Sequence, residues 1–218
     1  MLVLAFDTTL PVLSVCVCED ERLLARMDVA TRRSTSSRLF AVMDAVLKEA
    51  GVSPRDLGLI SVCVGPGSFT GVRVGVAAAK AMGYALGLEV AAVSTLEAMA
   101  LSCPVRGRLL FPLVDARRGQ FYGALFRWRG GCLERLTGDS LFSKEEVEGI
   151  APSVLFIGEA AERLGFSFFP VFGLSPFVAG AGLRMAREGR LVSVSRLKPV
   201  YLRPSDAEEK SGIIVYNP

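Results

Sequence analysis

Leu2-Val3-Leu4-Ala5-Phe6-Asp7-Thr8-Thr9-Leu10-Pro11, running on into Val12-Leu13-Ser14-Val15-Cys16-Val17-Cys18, reads as two strands joined at an aspartate and a short turn. The first run is uniformly apolar and the second alternates loosely, the patterns of strands covered on both faces or on one. Glu19-Asp20-Glu21 then turns the chain towards a third strand near residues 23–30, which completes a meander. Residues 37–50 place Leu39, Met43, Val46, Leu47 and Ala50 at helical spacing, joined by Phe40 and Val42. The Ser34-Thr35-Ser36-Ser37 run offers caps for this helix, and Gly51 offers a stop. A strand at 59–64, a glycine-rich loop, a helix over 71–87 and a strand at 89–93 follow. A meander continued by alternating helices and strands predicts an α/β lobe.

The second half opens in the same way. Leu109-Leu110-Phe111-Pro112-Leu113-Val114 is an apolar strand ending at Asp115, followed by the turn Ala116-Arg117-Arg118-Gly119 and a strand over 120–128. A turn at Gly130-Gly131 leads into a strand at 132–136. Two strand-aspartate-hairpin units predict two related lobes, although aspartate is a frequent turn residue and coincidence stays open. Ser102-Cys103-Pro104 and Arg106-Gly107-Arg108 interrupt the pattern. The boundary is therefore placed between an N-terminal lobe over 1–103 and a C-terminal lobe over 104–218, whose final segment packs back on the first. Within the second lobe we expect a strand at 154–157, a short helix from about Glu159, an apolar stretch at 166–172 and a helix over 176–187.

The 218 residues suffice for one domain or two compact lobes with a real core. Hydrophobic residues make up 51%, unlike the apolar-poor and highly charged composition of a disordered chain. With 25 Lys+Arg against 22 Asp+Glu the formal charge is +3, too small to mark a nucleic-acid binder by charge alone. Histidine is absent from the sequence, which removes histidine acid–base catalysis, a Ser-His-Asp triad and histidine metal ligation. Cys16, Cys18, Cys63, Cys103 and Cys132 are odd in number, lack CxxC spacing and sit mostly in apolar runs, as buried thiols in a reducing compartment do. The opening residues lack a basic start, and no window approaches the roughly 18 uninterrupted apolar residues of a membrane span. A cytoplasmic protein without membrane contact is expected.

Asp7 stands at a strand end, where a carboxylate could orient a nucleotide's hydrated metal or an attacking water. Equally, it could close an Asx-type turn. Asp115 carries the same two readings, and its neighbours Arg117 and Arg118 could meet a phosphate or simply be solvated. In Gly65-Pro66-Gly67-Ser68-Phe69-Thr70-Gly71, three glycines allow tight backbone geometry and feed a helix N-terminus, an end that attracts anions. Gly67 and Ser68 are the loop's candidates for phosphate contact, with capping by Ser68 or Thr70 as the alternative. The loop lacks the lysine of a Walker A motif, and the serine lacks both a GxSxG context and a histidine partner. We assign no catalytic residue and no metal ligand.

The helix after this loop carries only Arg73 and Lys80 as charges, and Gly71, Gly75, Ala79, Gly83 and Gly87 recur every fourth position. Such a ridge lets another backbone approach closely, whether from within the chain or from a separate protein. With Leu39 and Met43 of the preceding helix, Gly71, Gly75, Ala79 and Gly83 make up the candidate interface. Near the end, Arg184, Arg187, Arg190, Arg196, Lys198 and Arg203 outnumber Glu188, without a base-reading module beside them.

Five segments, in this order, closely resemble the bacterial TsaB family, also called YeaZ, over nearly the whole chain. They are Leu4-Ala5-Phe6-Asp7-Thr8-Thr9, Gly65-Pro66-Gly67-Ser68-Phe69-Thr70-Gly71-Val72-Arg73-Val74-Gly75, Val93-Ser94-Thr95-Leu96, Asp115-Ala116-Arg117 and Pro199-Val200-Tyr201-Leu202-Arg203. The resemblance implies an α/β protein of two ribonuclease-H-like lobes, related to the actin-like ATPase superfamily. It also implies partnership with TsaD, the catalytic subunit that transfers a threonylcarbamoyl group from threonylcarbamoyl-adenylate to the adenosine beside the anticodon of tRNAs reading A-starting codons. The ATPase TsaE is the third member of that assembly. On this resemblance the chain is a noncatalytic activator that contacts TsaD through the helices near 35–50 and 71–87, with a homodimer as a competing use of the same surface. No cofactor is expected on the chain itself; ATP and a TsaD-bound metal belong to the assembled system, and tRNA is its substrate.

TsaD relatives carry an HxxxH metal-binding pair in the segment matching Thr95-Leu96-Glu97-Ala98-Met99, and both histidines are missing here. Many TsaB proteins carry a histidine where this chain has Thr35 or, one residue out of register, Ser34. Two further readings are an actin-like nucleotide phosphatase or phosphotransferase, with Asp7, Asp115 and the glycine loop around a phosphate and Mg²⁺, and a peptidase acting on a TsaD-like partner. The missing histidine makes the latter poor chemistry.

Overall fold

The structure, a computed structural model, describes residues 1–30 and 35–203, with the side chains of the first helix described from Ser37 onward. The reading of Thr35 or Ser34 as the histidine position and the packing of residues 204–218 lie outside the described residues. The chain divides into two compact units, Met1–Ala98 with Phe172–Pro199, and Met99–Val171 with Val200–Pro218. The chain opens with β1 (Leu2–Asp7), β2 (Val12–Glu19), β3 (Arg22–Ala30), α1 (Thr35–Ala50), β4 (Leu59–Cys63), α2 (Phe69–Leu86), β5 (Val90–Val93) and α3 (Thr95–Ser102). It continues with β6 (Leu109–Arg117), β7 (Gln120–Gly123), β8 (Phe126–Arg129), β9 (Cys132–Arg135), β10 (Ser140–Ser143), α4 (Lys144–Ile150), β11 (Val154–Ile157) and β12 (Phe168–Phe169). It then returns to the first unit as α5 (Ser175–Arg187).

In the first unit the strand order is β3-β2-β1-β4-β5. β1, β2 and β3 form the antiparallel meander, while β4 and β5 run parallel to β1 and so require the crossover helices α1 and α2. Adjacent residues of a strand point to opposite faces, and β4 shows which helix covers which. Val62 faces Gly75 of α2, whereas Ser61 donates its hydroxyl proton to the Val178 carbonyl of α5 at 2.7 Å. α2 therefore lies on one face, beside α1, and α5 lies on the other. Covering both faces explains why Val3, Leu4, Ala5 and Phe6 are all fully buried and why the sequence there is a continuous apolar run. β3, the outer strand of the meander, is largely exposed.

In the second unit the order β10-β7-β6-β11-β12 repeats the same pattern, two antiparallel strands before the first strand and two parallel strands after it. The single strand expected over 120–128 is broken into β7 and β8, which pair with different halves of β6. At the break the Leu125 backbone bonds elsewhere: its N–H donates to Thr137 Oγ1 at 2.9 Å and its carbonyl accepts from Leu136 N at 2.8 Å. The core gathers Phe111, Leu113, Phe121, Val147 and Phe156, with Phe111 edge-on to Phe142 and Phe156 at centroid distances of 5.2 and 5.9 Å. Of the apolar stretch 166–172, only Phe168–Phe169 forms a strand.

Candidate functional site

The turn after β1 and the loop before α2 close on each other. Asp7 is 1% exposed, and its Oδ1 accepts from Thr9 N at 2.9 Å and from the Thr9 hydroxyl at 2.6 Å. Thr9 Oγ1 also lies 2.9 Å from Thr95 Oγ1, and the Thr8 hydroxyl donates to the Gly71 carbonyl at 2.7 Å. On the loop side, Ser68 N donates to the Thr9 carbonyl at 2.8 Å, and Ser68 Oγ accepts from Gly71 N at 3.3 Å as the N-cap of α2. A Cβ at Gly67 would sit 2.7 Å from the Thr9 carbonyl oxygen, and one at Gly71 would collide with the Thr8 carbonyl oxygen. The glycines thus admit the chain's own Thr8-Thr9 backbone, and the amides of Ser68 and Gly71, which a phosphate would use, are engaged within the chain. Of the phosphate and capping readings, the geometry supports capping, and Asp7 closes a buried turn with Thr9.

Asp7 Oδ2 has no hydrogen-bond partner in the structure, and burial raises the carboxyl above its ordinary value despite the lowering effect of the Thr9 bonds. The neighbouring Cys63 thiol is pushed well up, first by burial and then by the Asp7 charge. A raised carboxyl binds its proton more tightly in the folded chain than in the unfolded one. The stability this contributes is full below the ordinary aspartate value, about 4, and is lost as the pH rises through the raised value. Asp7→Asn cannot ionise, so it is expected to gain stability relative to wild type across that window, read as urea midpoints against pH. Parallel curves for the two proteins would contradict the raised value.

Asp115 belongs to the second unit and is accounted for there. Its Oδ1 accepts from Arg117 N at 2.8 Å and its Oδ2 pairs with Arg163 at 2.5 Å. The carboxylate is committed to its own turn and to a neighbouring guanidinium rather than held open for a metal. Among the described residues, no group of three or more His, Cys, Asp or Glu side chains is placed to hold a metal ion. Thr95 and Met99, which the resemblance to TsaD sets against the HxxxH pair, are both buried.

The small-residue ridge of α2 faces inward, which corrects the expectation that it presents a partner surface. Gly75 lies against Thr8 and Val62, Gly83 against Val194 and Val90, and Gly71 and Ala79 are buried. Leu39 and Met43 of α1 are equally buried in the packing of that helix on β2 and β3. The outward faces carry different residues. α1 exposes Phe40 (55%), Ala41 and Asp44, while α2 exposes Arg73, Ala77, Ala81 and Tyr84 (83%). Phe40 breaks the buried spacing of Leu39, Met43, Val46 and Leu47, and its exposure beside a second helix is a tertiary feature that the spacing alone does not show. Three of the six cations of the basic run near the end form ion pairs: Arg184 with Glu97 and Glu188, Arg187 with Glu21, and Arg190 with Glu188.

Comparison with known proteins agrees across the chain. A family profile described as TsaD, tRNA N6-adenosine threonylcarbamoyltransferase, matches residues 29–194. The tRNA threonylcarbamoyladenosine biosynthesis protein TsaB of Bacillus subtilis is 30% identical, covering 96% of this chain and 97% of that protein. The TsaB of Escherichia coli is 27% identical, with 96% and 98% covered. A crystal structure from Pseudomonas aeruginosa, described as similar to peptidase YEAZ, aligns at a TM-score of 0.78 and 25% identity over 93% of this chain and 99% of that one. No helix among the described residues is long and apolar enough to cross a membrane.

Proposed function

The chain belongs to the TsaB family of tRNA threonylcarbamoyladenosine biosynthesis proteins, and from that membership we propose that it is the noncatalytic partner and activator of TsaD in threonylcarbamoylation of the adenosine beside the anticodon of tRNAs reading A-starting codons. The observation that carries this reading is the 30% identity with Bacillus subtilis TsaB across 96% of the chain. The buried threonine and methionine at the positions of the metal-binding histidines support a role without its own transferase centre. ATP, a TsaD-bound metal and TsaE belong to the assembled system, with tRNA as its substrate. Each unit is a ribonuclease-H-like lobe of the actin-like ATPase superfamily, a reading supported by the strand order common to both.

The docking surface is the outward face of α1 and α2, where Phe40 and Tyr84 project from adjacent helices among alanines. Aromatic anchors surrounded by small residues allow close helix packing and dominate binding energies. To activate TsaD, this face must bind the productive TsaD conformation more tightly than the others. The test is calorimetric titration of cognate TsaD with the purified chain. Saturable binding is expected, with a free homodimer, if one forms, competing for the same face. Absence of binding between two folded proteins would overturn the proposal.

A further inference from the structure

In the second unit, three separate elements bring cations around one concavity of about 430 Å³. The β6–β7 turn supplies Arg117 and Arg118, the first residue of α4 supplies Lys144, and the 3-10 helix Glu159–Leu164 supplies Arg163. Asp115 is the one carboxylate among the lining residues. It holds Arg117 through the backbone amide at 2.8 Å and Arg163 through the guanidinium at 2.5 Å, so it positions two of the cations. The side chains of Arg117, Lys144 and Arg163 are all largely exposed, although Arg117 also lies 3.8 Å from Asp115 Oδ2 and Lys144 3.6 Å from Glu148, so the four cations of the concavity outnumber the carboxylates that pair with them.

The backbone adds an independent observation. Arg117 has φ 69° in the bulge of β6, and Arg118 and Gly119 close the hairpin with φ 54° and 75°. A two-residue turn with two positive φ values favours Asn-Gly, and the left-handed region favours Gly or Asn generally. Here two long basic side chains occupy positions where smaller residues would sit with less strain, and strain held at a surface turn points to function.

We propose that this concavity binds phosphodiester groups and takes the sugar-phosphate backbone of the tRNA, an inference that rests on the reading of the chain as part of a tRNA-modifying assembly. Guanidinium groups match phosphate oxygens through paired N–H donors. Cations presented on an exposed turn and two flanking elements suit a backbone that passes across them.

The test uses the full chain and a fluorescein-labelled unmodified tRNA transcript, followed by anisotropy over a series of salt concentrations. The double variant Arg117→Gly/Arg118→Asn carries residues suited to the left-handed backbone, so its melting temperature should hold or rise. Its affinity for the transcript is expected to fall about tenfold, and the slope of log affinity against log salt to shrink by about 2, one per lost cation. Unchanged affinity and slope in the folded variant would overturn the proposal. So would saturable ATP binding that the variant loses, without any RNA binding, since it would assign the pocket to a free nucleotide. Threonylcarbamoyl transfer by TsaD separates the two readings. If transfer depends on the chain while the variant binds RNA as wild type does, only this inference fails; if transfer is independent of the chain, the partner reading fails as well.

Discussion

Gly71→Ala is expected to destabilise the first unit by about 3 kcal/mol or more, at the upper end for overpacking a filled interior. The new Cβ would collide with the Thr8 carbonyl oxygen, a backbone atom that cannot rotate away. Displacing Thr8 would strain its hydroxyl bond to the Gly71 carbonyl and the Ser68 N–H bond to the adjacent Thr9 carbonyl. It would also disturb the turn that Asp7 closes with Thr9. Gly180→Ala serves as the internal comparison, because that position is exposed within α5 and a Cβ there meets nothing within 4 Å. Removing a helical glycine without a clash should stabilise by up to about 1 kcal/mol. Urea unfolding of the two variants should therefore move in opposite directions, and a Gly71→Ala protein as stable as wild type would contradict the close approach.

The second large effect concerns the partner face. Phe40→Glu combined with Tyr84→Glu is expected to weaken TsaD binding about 100-fold or more, since truncating a single aromatic anchor commonly costs 2 kcal/mol or more and a buried unpaired carboxylate adds a penalty. Both side chains are exposed in the free chain, so its folding should be nearly unaffected. By contrast, Gly75→Leu or Gly83→Leu would be an ambiguous probe, because a Cβ at either position meets the chain's own atoms closer than real contacts allow. Wild-type affinity in the folded double glutamate variant would move the interface off α1 and α2.

Much of the first unit is visible in its residues because both driving signals are local. The apolar run Leu2-Val3-Leu4-Ala5-Phe6 reports burial directly, whereas the loose alternation after Pro11 suggests one covered face and β2 is instead buried from Leu13 through Cys18, because α1 and α5 both pack on it. Ser68 and Gly87 mark the limits of α2 by side-chain capping and a left-handed φ of 68°. The second unit is harder to read because its elements are short and set by pairing. β10 has four residues, and its strand character comes from its register with β7 rather than from its own pattern. α4 is absent from the sequence-based expectations: its one local signal is the reciprocal capping box of Ser143 and Glu146, and a helix of seven residues is too short to show a periodic apolar face. The helix over 176–187 was legible as a helix. Its place against β1, β4 and β5 was not, because that depends on the chain crossing back to the first unit after Val171.

The candidate site divides along the same line. The glycine loop was identifiable as a place of close backbone approach, but sequence leaves open what approaches. Thr8 and Thr9 fill it through contacts about sixty residues apart along the chain. The inward turn of the α2 ridge is likewise a tertiary outcome, since a small-residue stripe fits a sheet as well as a partner helix. Arg117 and Arg118 were visible as a basic pair on a turn, whereas Lys144 and Arg163 join them only through the fold of the second unit.

Activation is tested most directly by threonylcarbamoyl transfer to unmodified cognate tRNA, reconstituted with matched TsaD and TsaE, ATP and a supply of threonylcarbamoyl-adenylate, with and without this chain. Strong dependence of transfer on the chain, together with no transfer by the chain alone, is the predicted result. Full transfer by TsaD and TsaE without it, when all proteins are folded and compatible, would contradict the role in activation.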